Sequence, residues 1–314
     1  MRKVKVAFMA PGQGVTSWEE GLSLLDESPR TERIYKEVYD ATGVKITDVC
    51  EGKLPQDDTS IVQPAALGIG YARAEVLNQE RGIKPDYLIG VSSGEFTVTA
   101  ISRAISLKDA ARFAQERGRM QQELAGGLGS AVSVLHRKEL RLDEILKGLE
   151  GRAYPSNFHV RKKPNETGMR ITGISYLHEV YDELRQRLEE TGAKVIDIKN
   201  LEFPPHGDHL KGVQESLAKM IRSRTNLTGI KISDADTPII ATMTARAMQK
   251  ARTIRRNIVW QTTNPTQLSD SVDLAVTKGV TEFYDLGPGD SMSKLLGFMS
   301  LGDNVKIIPV SISQ

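Results

Sequence analysis

The stretch Gly90-Val91-Ser92-Ser93-Gly94 sets a serine between two glycines. Tyr87, Leu88 and Ile89 before it form a short apolar run with strand character, and the residues after it can wind into a helix. Strand, tight turn and helix is the setting in which the G-x-S-x-G elbow presents a nucleophilic serine. Read alone, the pattern has a second meaning, a strand-to-helix turn with Ser92 as a helix cap. A serine hydroxyl attacks only when a base takes its proton. Of the five histidines, His136 and His178 fall at predicted surface positions, and His159 follows a strand at Asn157-Phe158. His206 and His209 lie in Phe203-Pro204-Pro205-His206-Gly207-Asp208-His209, where a proline-constrained turn can present a general base. The same pair also reads as solvated loop histidines or as i, i+3 metal ligands. A metal needs further ligands and only Asp208 is near, so no metal site is expected.

To bring serine and base together the chain needs a sheet with crossovers. A strand is expected over 4–9, ending in the turn Pro11-Gly12-Gln13-Gly14. Helices are expected over 18–41, from Gln63-Pro64-Ala65 to about 81, and over 107–125 with Ser106 as N-cap. Strands alternating with helices predict a parallel sheet. The texture changes at Gly126-Gly127-Leu128-Gly129. A strand (130–135), helix (138–149), strand (153–158), strand (169–172), helix (176–190) and strand (194–198) follow, the β-α-β-β-α-β order of a ferredoxin-like unit. The α/β pattern then resumes with a helix (213–224), a strand (238–243), a helix (267–277) and a strand (282–286). The expected division is 1–126 and 201–314 as one large subdomain, with 127–200 inserted as a small one.

At 314 residues the chain exceeds one typical domain, as an insertion requires. A net charge of +2 with 26% charged residues argues against a dedicated nucleic-acid binder. Cys50 is the single cysteine, which excludes an internal disulfide and a thiolate zinc cluster. The apolar run at 6–10 is too short for a signal-peptide core, and no stretch approaches the ~18 apolar residues of a membrane span. A soluble, cytoplasmic, monomeric protein that binds neither membrane nor nucleic acid is expected.

A set of short motifs occurs in register along the chain: Pro-Gly-Gln-Gly at 11–14, Gln-Pro-Ala at 63–65, Gly-Val-Ser-Ser-Gly-Glu at 90–95, Glu-Arg-Gly-Arg-Met-Gln-Gln at 116–122, Pro-Pro-His at 204–206, Asn-Pro-Thr-Gln at 264–267 and Leu-Gly-Pro-Gly at 286–289. Their order and spacing resemble those of malonyl-CoA:acyl carrier protein transacylases and the related acyltransferases of polyketide synthases, over nearly the whole chain. The resemblance implies a hydrolase-like parallel-sheet α/β core carrying the ferredoxin-like insertion. It implies that Ser92 attacks a thioester and that His206 is its base. It gives the orienting carbonyl on the histidine to Gln267, the oxyanion N–H groups to Gln13 and Ser93, and pocket positions to Gln63, Val91 and Asn157. Arg117 is implied to hold the free carboxylate of a malonyl-type acyl group, since a guanidinium pairs with a carboxylate through two parallel hydrogen bonds.

The pocket departs from the family pattern. Val91 stands where a histidine is usual, Ser93 where a larger residue is usual, and the second asparagine of the run at 157 is replaced by His159. Two basic runs, Arg161-Lys162-Lys163 and Arg252, Arg255 and Arg256, read as solvated faces or as docking sites for an anionic coenzyme A and an acidic carrier. The expected activity is transfer of a malonyl-type group from coenzyme A to the phosphopantetheine thiol of an acyl carrier protein, in fatty acid or polyketide synthesis, with no bound cofactor. The alternatives are an acyl hydrolase on the same fold and a non-catalytic carrier-binding protein.

Overall fold

The protein is described by a computed structural model covering residues 4–12, 17–137, 140–160, 169–198, 201–222, 228–299 and 301–310, with backbone only at 159, 160 and 169. Strands β1 (Lys5–Ala10), β2 (Tyr87–Gly90), β7 (Ile239–Ala241), β8 (Arg246–Met248), β9 (Val280–Asp285) and β10 (Lys306–Pro309) form one sheet. Its order is β10-β9-β1-β2-β7-β8, parallel throughout except for the antiparallel edge strand β8. Successive residues of β1 face opposite sides. Phe8 and Ala10 enter one apolar cluster, Ala7 and Met9 a second, so the strand is buried on both faces.

The inserted unit is a second sheet, β3 (Gly129–Arg137), β4 (Ala153–Val160), β5 (Met169–Leu177) and β6 (Lys194–Asp197), in the antiparallel order β4-β5-β3-β6. Numbered within the unit this is 2-3-1-4, the ferredoxin-like arrangement, and it packs a third apolar cluster of its own around Val132, Ile174 and Leu184.

Helices α1 (Glu20–Glu27), α2 (Pro29–Thr42), α3 (Ile46–Cys50), α4 (Thr59–Glu75), α5 (Gly94–Ile101) and α6 (Leu107–Ala125) precede the insertion. Short α7 (Leu142–Ile145) and α8 (Tyr181–Glu190) lie within it, and α9 (Lys211–Met220), α10 (Ala251–Trp260), α11 (Leu268–Thr277) and α12 (Ser291–Gly297) follow. None of these is long and apolar enough to cross a membrane.

Several boundaries differ from the sequence reading. The helix expected over 18–41 is two, because Ser28 is extended, caps α2 by accepting from Arg30 N–H and precedes Pro29 at the first helical position. Helix α4 begins at Thr59, capped by Asp58, and Pro64 sits inside it. Tyr176 belongs to β5, opposite Ser130 and Ala153, and α8 starts only at Tyr181. Helix α9 ends at Met220, because Ile221 leaves the helix to pair with Ile230.

Candidate active site

Strand β2 delivers Ser92 to the carboxyl end of the parallel sheet, where open α/β sheets place their sites. Ser92 lies in the left-handed region, φ 53°, which a non-glycine residue seldom adopts. The chain crosses itself there so tightly that a Cβ at Gly94 would lie 2.3 Å from Ala10 O and 2.5 Å from Pro11 O. A Cβ at Gly90 would lie 2.5 Å from Gly94 O. Both glycines are required by contact. The elbow is pinned by Val91 N–H donating to Ala10 O (3.0 Å) and Glu95 N–H to Ser92 O (3.1 Å). Ser93, also buried, precedes α5 and turns its backbone toward the start of that helix.

Beneath the elbow the Glu95 side chain is fully buried and accepts from Thr242 N–H at 3.0 Å. Burial raises its carboxyl to about 7 against the opposing hydrogen bond from Thr242.

His206 approaches from the far side. Its Nε2 is 3.1 Å from Ser92 Oγ and its Nδ1 is 2.9 Å from Gln261 O. A carbonyl only accepts, so Nδ1 carries the proton and Nε2 can accept that of Ser92. The carbonyl expected from Gln267 comes instead from Gln261. The Gln267 carbonyl accepts from Ser271 N–H (3.0 Å) and Ser271 Oγ–H (2.8 Å), and that commitment takes it into the first turn of α11.

His206 is itself left-handed, φ 60°. The carbonyls just before it are held from the small sheet and from the turn itself: Ser175 Oγ–H donates to Pro205 O (2.8 Å) and His209 Nε2–H to Pro204 O (2.6 Å). The Tyr154 hydroxyl lies 3.3 Å from His209 Nδ1 and 3.4 Å from the Pro204 carbonyl. His209 is therefore partly buried and built into the turn, not a solvated neighbour, and burial pushes its pKa down.

Arg117 reaches the serine from α6. The crossing of α6 over α4 is close enough that a Cβ at Gly118 would sit 2.1 Å from Thr59 O, and Thr59 Oγ–H donates to Gly118 O (2.6 Å). That contact brings Gln63 on α4 beside Arg117. Arg117 Nη2–H donates to Ser92 Oγ (2.9 Å) and Nη1–H to Gln63 Oε1 (3.1 Å). The guanidinium is 1% exposed, no carboxylate pairs with it among the described residues, and desolvation lowers its pKa to about 10. A buried, uncompensated cation is costly, and a site of this kind gains most from an anionic ligand.

Asn157 stands on β4 and accepts from Thr266 Oγ–H (2.6 Å), which ties the small sheet to the 264–267 loop. Val91 is buried against the second core cluster. Arg252, Arg255 and Arg256 are exposed on α10. Gln13 and Arg161, Lys162 and Lys163 lie outside the described residues. Gln261, Tyr154, Ser175 and Gln121 were not singled out from the sequence. Only Gln121 carried a signal, its position four residues after Arg117 on one helix face.

A serine held in a tight elbow, with the Nε2 of a carbonyl-oriented histidine 3.1 Å from its Oγ, is an arrangement able to activate a serine hydroxyl on an α/β sheet. Residues 7–281 match the family described as the acyl transferase domain, and the chain belongs to that family. It is 27% identical over 310 residues to the malonyl CoA-acyl carrier protein transacylase of Bacillus subtilis (strain 168), covering 98% of this chain and 93% of that one. The fold is similar to that of malonyl-CoA:acyl carrier protein transacylase from Xanthomonas oryzae (TM-score 0.84, 24% identity, 99% and 96% covered). It is equally similar to a malonyl-transacylase solved in complex with a type II polyketide synthase acyl-carrier protein (TM-score 0.84, 22% identity, 98% and 96% covered).

Proposed function

We propose that this enzyme transfers a malonyl-type group from coenzyme A to the phosphopantetheine thiol of an acyl carrier protein through an acyl ester on Ser92. The observation that carries the reading is Arg117, a buried cation without a carboxylate partner among the described residues, 2.9 Å from Ser92 Oγ. The names of its relatives support the same substrate pair.

His206 Nε2 takes the Ser92 proton as Oγ bonds to the thioester carbonyl, and returns it to the departing coenzyme A sulfur as the C–S bond breaks. In the second half the carrier thiol gives its proton to His206, the new C–S bond forms, and Ser92 Oγ leaves with that proton. The backbone N–H of Ser93, with Gln13 from its motif, is assigned the oxyanion. Arg117 holds the distal carboxylate. The exposed arginines of α10 are assigned to docking of the anionic partners.

Intact-protein mass after incubation with malonyl-CoA tests this. One malonyl adduct is expected on the wild type, none on Ser92→Ala, and loss of the adduct on addition of carrier protein bearing its phosphopantetheine arm. Arg117→Ala should lower kcat/KM for malonyl-CoA by roughly 10²-fold or more while acetyl-CoA holds or rises. A wild type that prefers acetyl-CoA, or equal losses for both substrates, would refute the dicarboxylate reading.

A further inference from the structure

The contacts of Arg117 continue beyond Gln63. Gln63 Nε2–H donates to Gln121 Oε1 at 2.7 Å, so a relay runs from Ser92 through Arg117 and Gln63 to Gln121. Its direction is forced. A guanidinium has no acceptor, so Gln63 must turn its oxygen to Arg117 and its amide NH2 to Gln121. Gln121 must then offer its oxygen to Gln63, and its own NH2 is left at the end of the relay.

That end group is buried. Gln121 is 0% exposed, and its Nε2 has no hydrogen-bond partner among the described residues, nor has Arg117 Nε. Gln121 follows Arg117 by one helical turn on α6, so both side chains leave the same face of the helix. Two unused buried donors therefore lie on the face of α6 that carries Arg117, linked through Gln63, and the side chains they are linked to are neutral. Buried donors without acceptors are rare in folded proteins, and a ligand with several acceptor oxygens accounts for them.

We propose that Gln121 Nε2 is a second donor to the free carboxylate of the acyl group, beside Arg117, and that it sets selectivity for dicarboxylic over monocarboxylic acyl groups. This rests on the malonyl-type reading above. A carboxylate has two oxygens with about four acceptor positions, and one guanidinium fork fills two. Arg117 also keeps Nη1 on Gln63. The Gln121 amide supplies a further donor without burying a second cation.

The test is acylation of Ser92 by malonyl-CoA and by acetyl-CoA in the wild type, Gln121→Met and Gln121→Glu, followed by intact-protein mass. Methionine keeps the length and lacks the amide. Glutamate keeps an acceptor for Gln63, and so preserves the relay, but sets an anion where the donor stood. The malonyl-to-acetyl ratio of kcat/KM should fall about 10- to 100-fold in Gln121→Met and further in Gln121→Glu, where two carboxylates oppose each other. An unchanged ratio in a folded Gln121→Glu overturns the proposal even if both rates drop, because this variant keeps the acceptor for Gln63 and an anion placed beside the acyl carboxylate must weaken malonyl more than acetyl. A wild type with no preference for malonyl-CoA overturns the dicarboxylate reading itself; with that preference intact, failure falls on Gln121 alone.

Discussion

Ser92 and His206 share an unusual trait, a left-handed backbone at φ 53° and 60°. Such conformations cost of order 1–3 kcal/mol each and persist only where surrounding contacts over-determine them. For Ser92 the contacts are the glycine crossings of the elbow. For His206 they are the hydroxyl of Ser175 and the imidazole of His209 on the two preceding carbonyls. From sequence alone, His209 also reads as a solvated loop histidine. The geometry changes that expectation. His206→Ala should slow acylation by roughly 10²- to 10⁴-fold, the usual worth of a general base. His209→Ala should lower kcat about 5-fold, since one lost hydrogen bond of about 1 kcal/mol loosens the turn that aims the proposed base. His209→Gln, which can still donate to Pro204 O, should recover part of it. Stopped-flow acylation of the three variants distinguishes these outcomes, and a wild-type rate for His209→Ala would remove His209 from the positioning of the base.

At the scale of elements, the helix behind Ser92 is unusual in being buried on all sides. Residues 94–100 of α5 are all buried, Glu95 among them. Its carboxyl, raised to about 7 by desolvation, binds a proton more tightly in the folded protein than in the unfolded chain, where the ordinary value is 4.5. The contribution to stability is therefore largest below pH 4.5 and is lost as pH rises from 4.5 to about 7. The ceiling is about 3 kcal/mol, since each tenfold gain in proton affinity is worth roughly 1.4 kcal/mol. Glu95→Gln carries no such proton, so its stability relative to wild type should improve by about 2–3 kcal/mol between pH 5 and pH 8. Urea unfolding of both proteins at the two pH values measures this. A difference that does not change with pH would show that Glu95 does not titrate across the folding transition. The same carboxylate joins α5 to the end of β7 through Thr242, whose carbonyl accepts from Gln267 N–H at 2.6 Å, so the elbow and the start of α11 are held by one threonine.

At the scale of the whole molecule, α10 links surface charge to His206, the proposed base. Arg252, Arg256 and Trp260 lie at i, i+4 and i+8 on one face, with the Arg256 guanidinium 4.9 Å from the Trp260 ring centroid, and the next residue is Gln261, whose carbonyl orients His206. Replacing Arg252, Arg255 and Arg256 together by glutamate should raise KM for the carrier protein more than for malonyl-CoA, with the gap closing at high salt. Equal, salt-independent kinetics would take this helix out of the docking surface. The alternation of strands and helices, the β-α-β-β-α-β insertion and the elbow were legible from sequence, because each is set by local periodicity or by glycines that a crossing turn demands. Arg117, Ser92 and His206 were legible as a set only through motifs in register, since nothing local says that residues 25 and 114 positions apart will touch. Which carbonyl orients the base was decided by tertiary structure: Gln261 and Gln267 are chemically identical in the chain, and only the start of α11, which takes the Gln267 carbonyl into its first turn, leaves Gln261 to face His206. The relay to Gln121 and the grip of Tyr154, Ser175 and His209 on the turn before His206 belong to the same class. Each joins elements far apart in sequence, and hydrogen-bond direction, which gives these groups their roles, exists only once the partners have met.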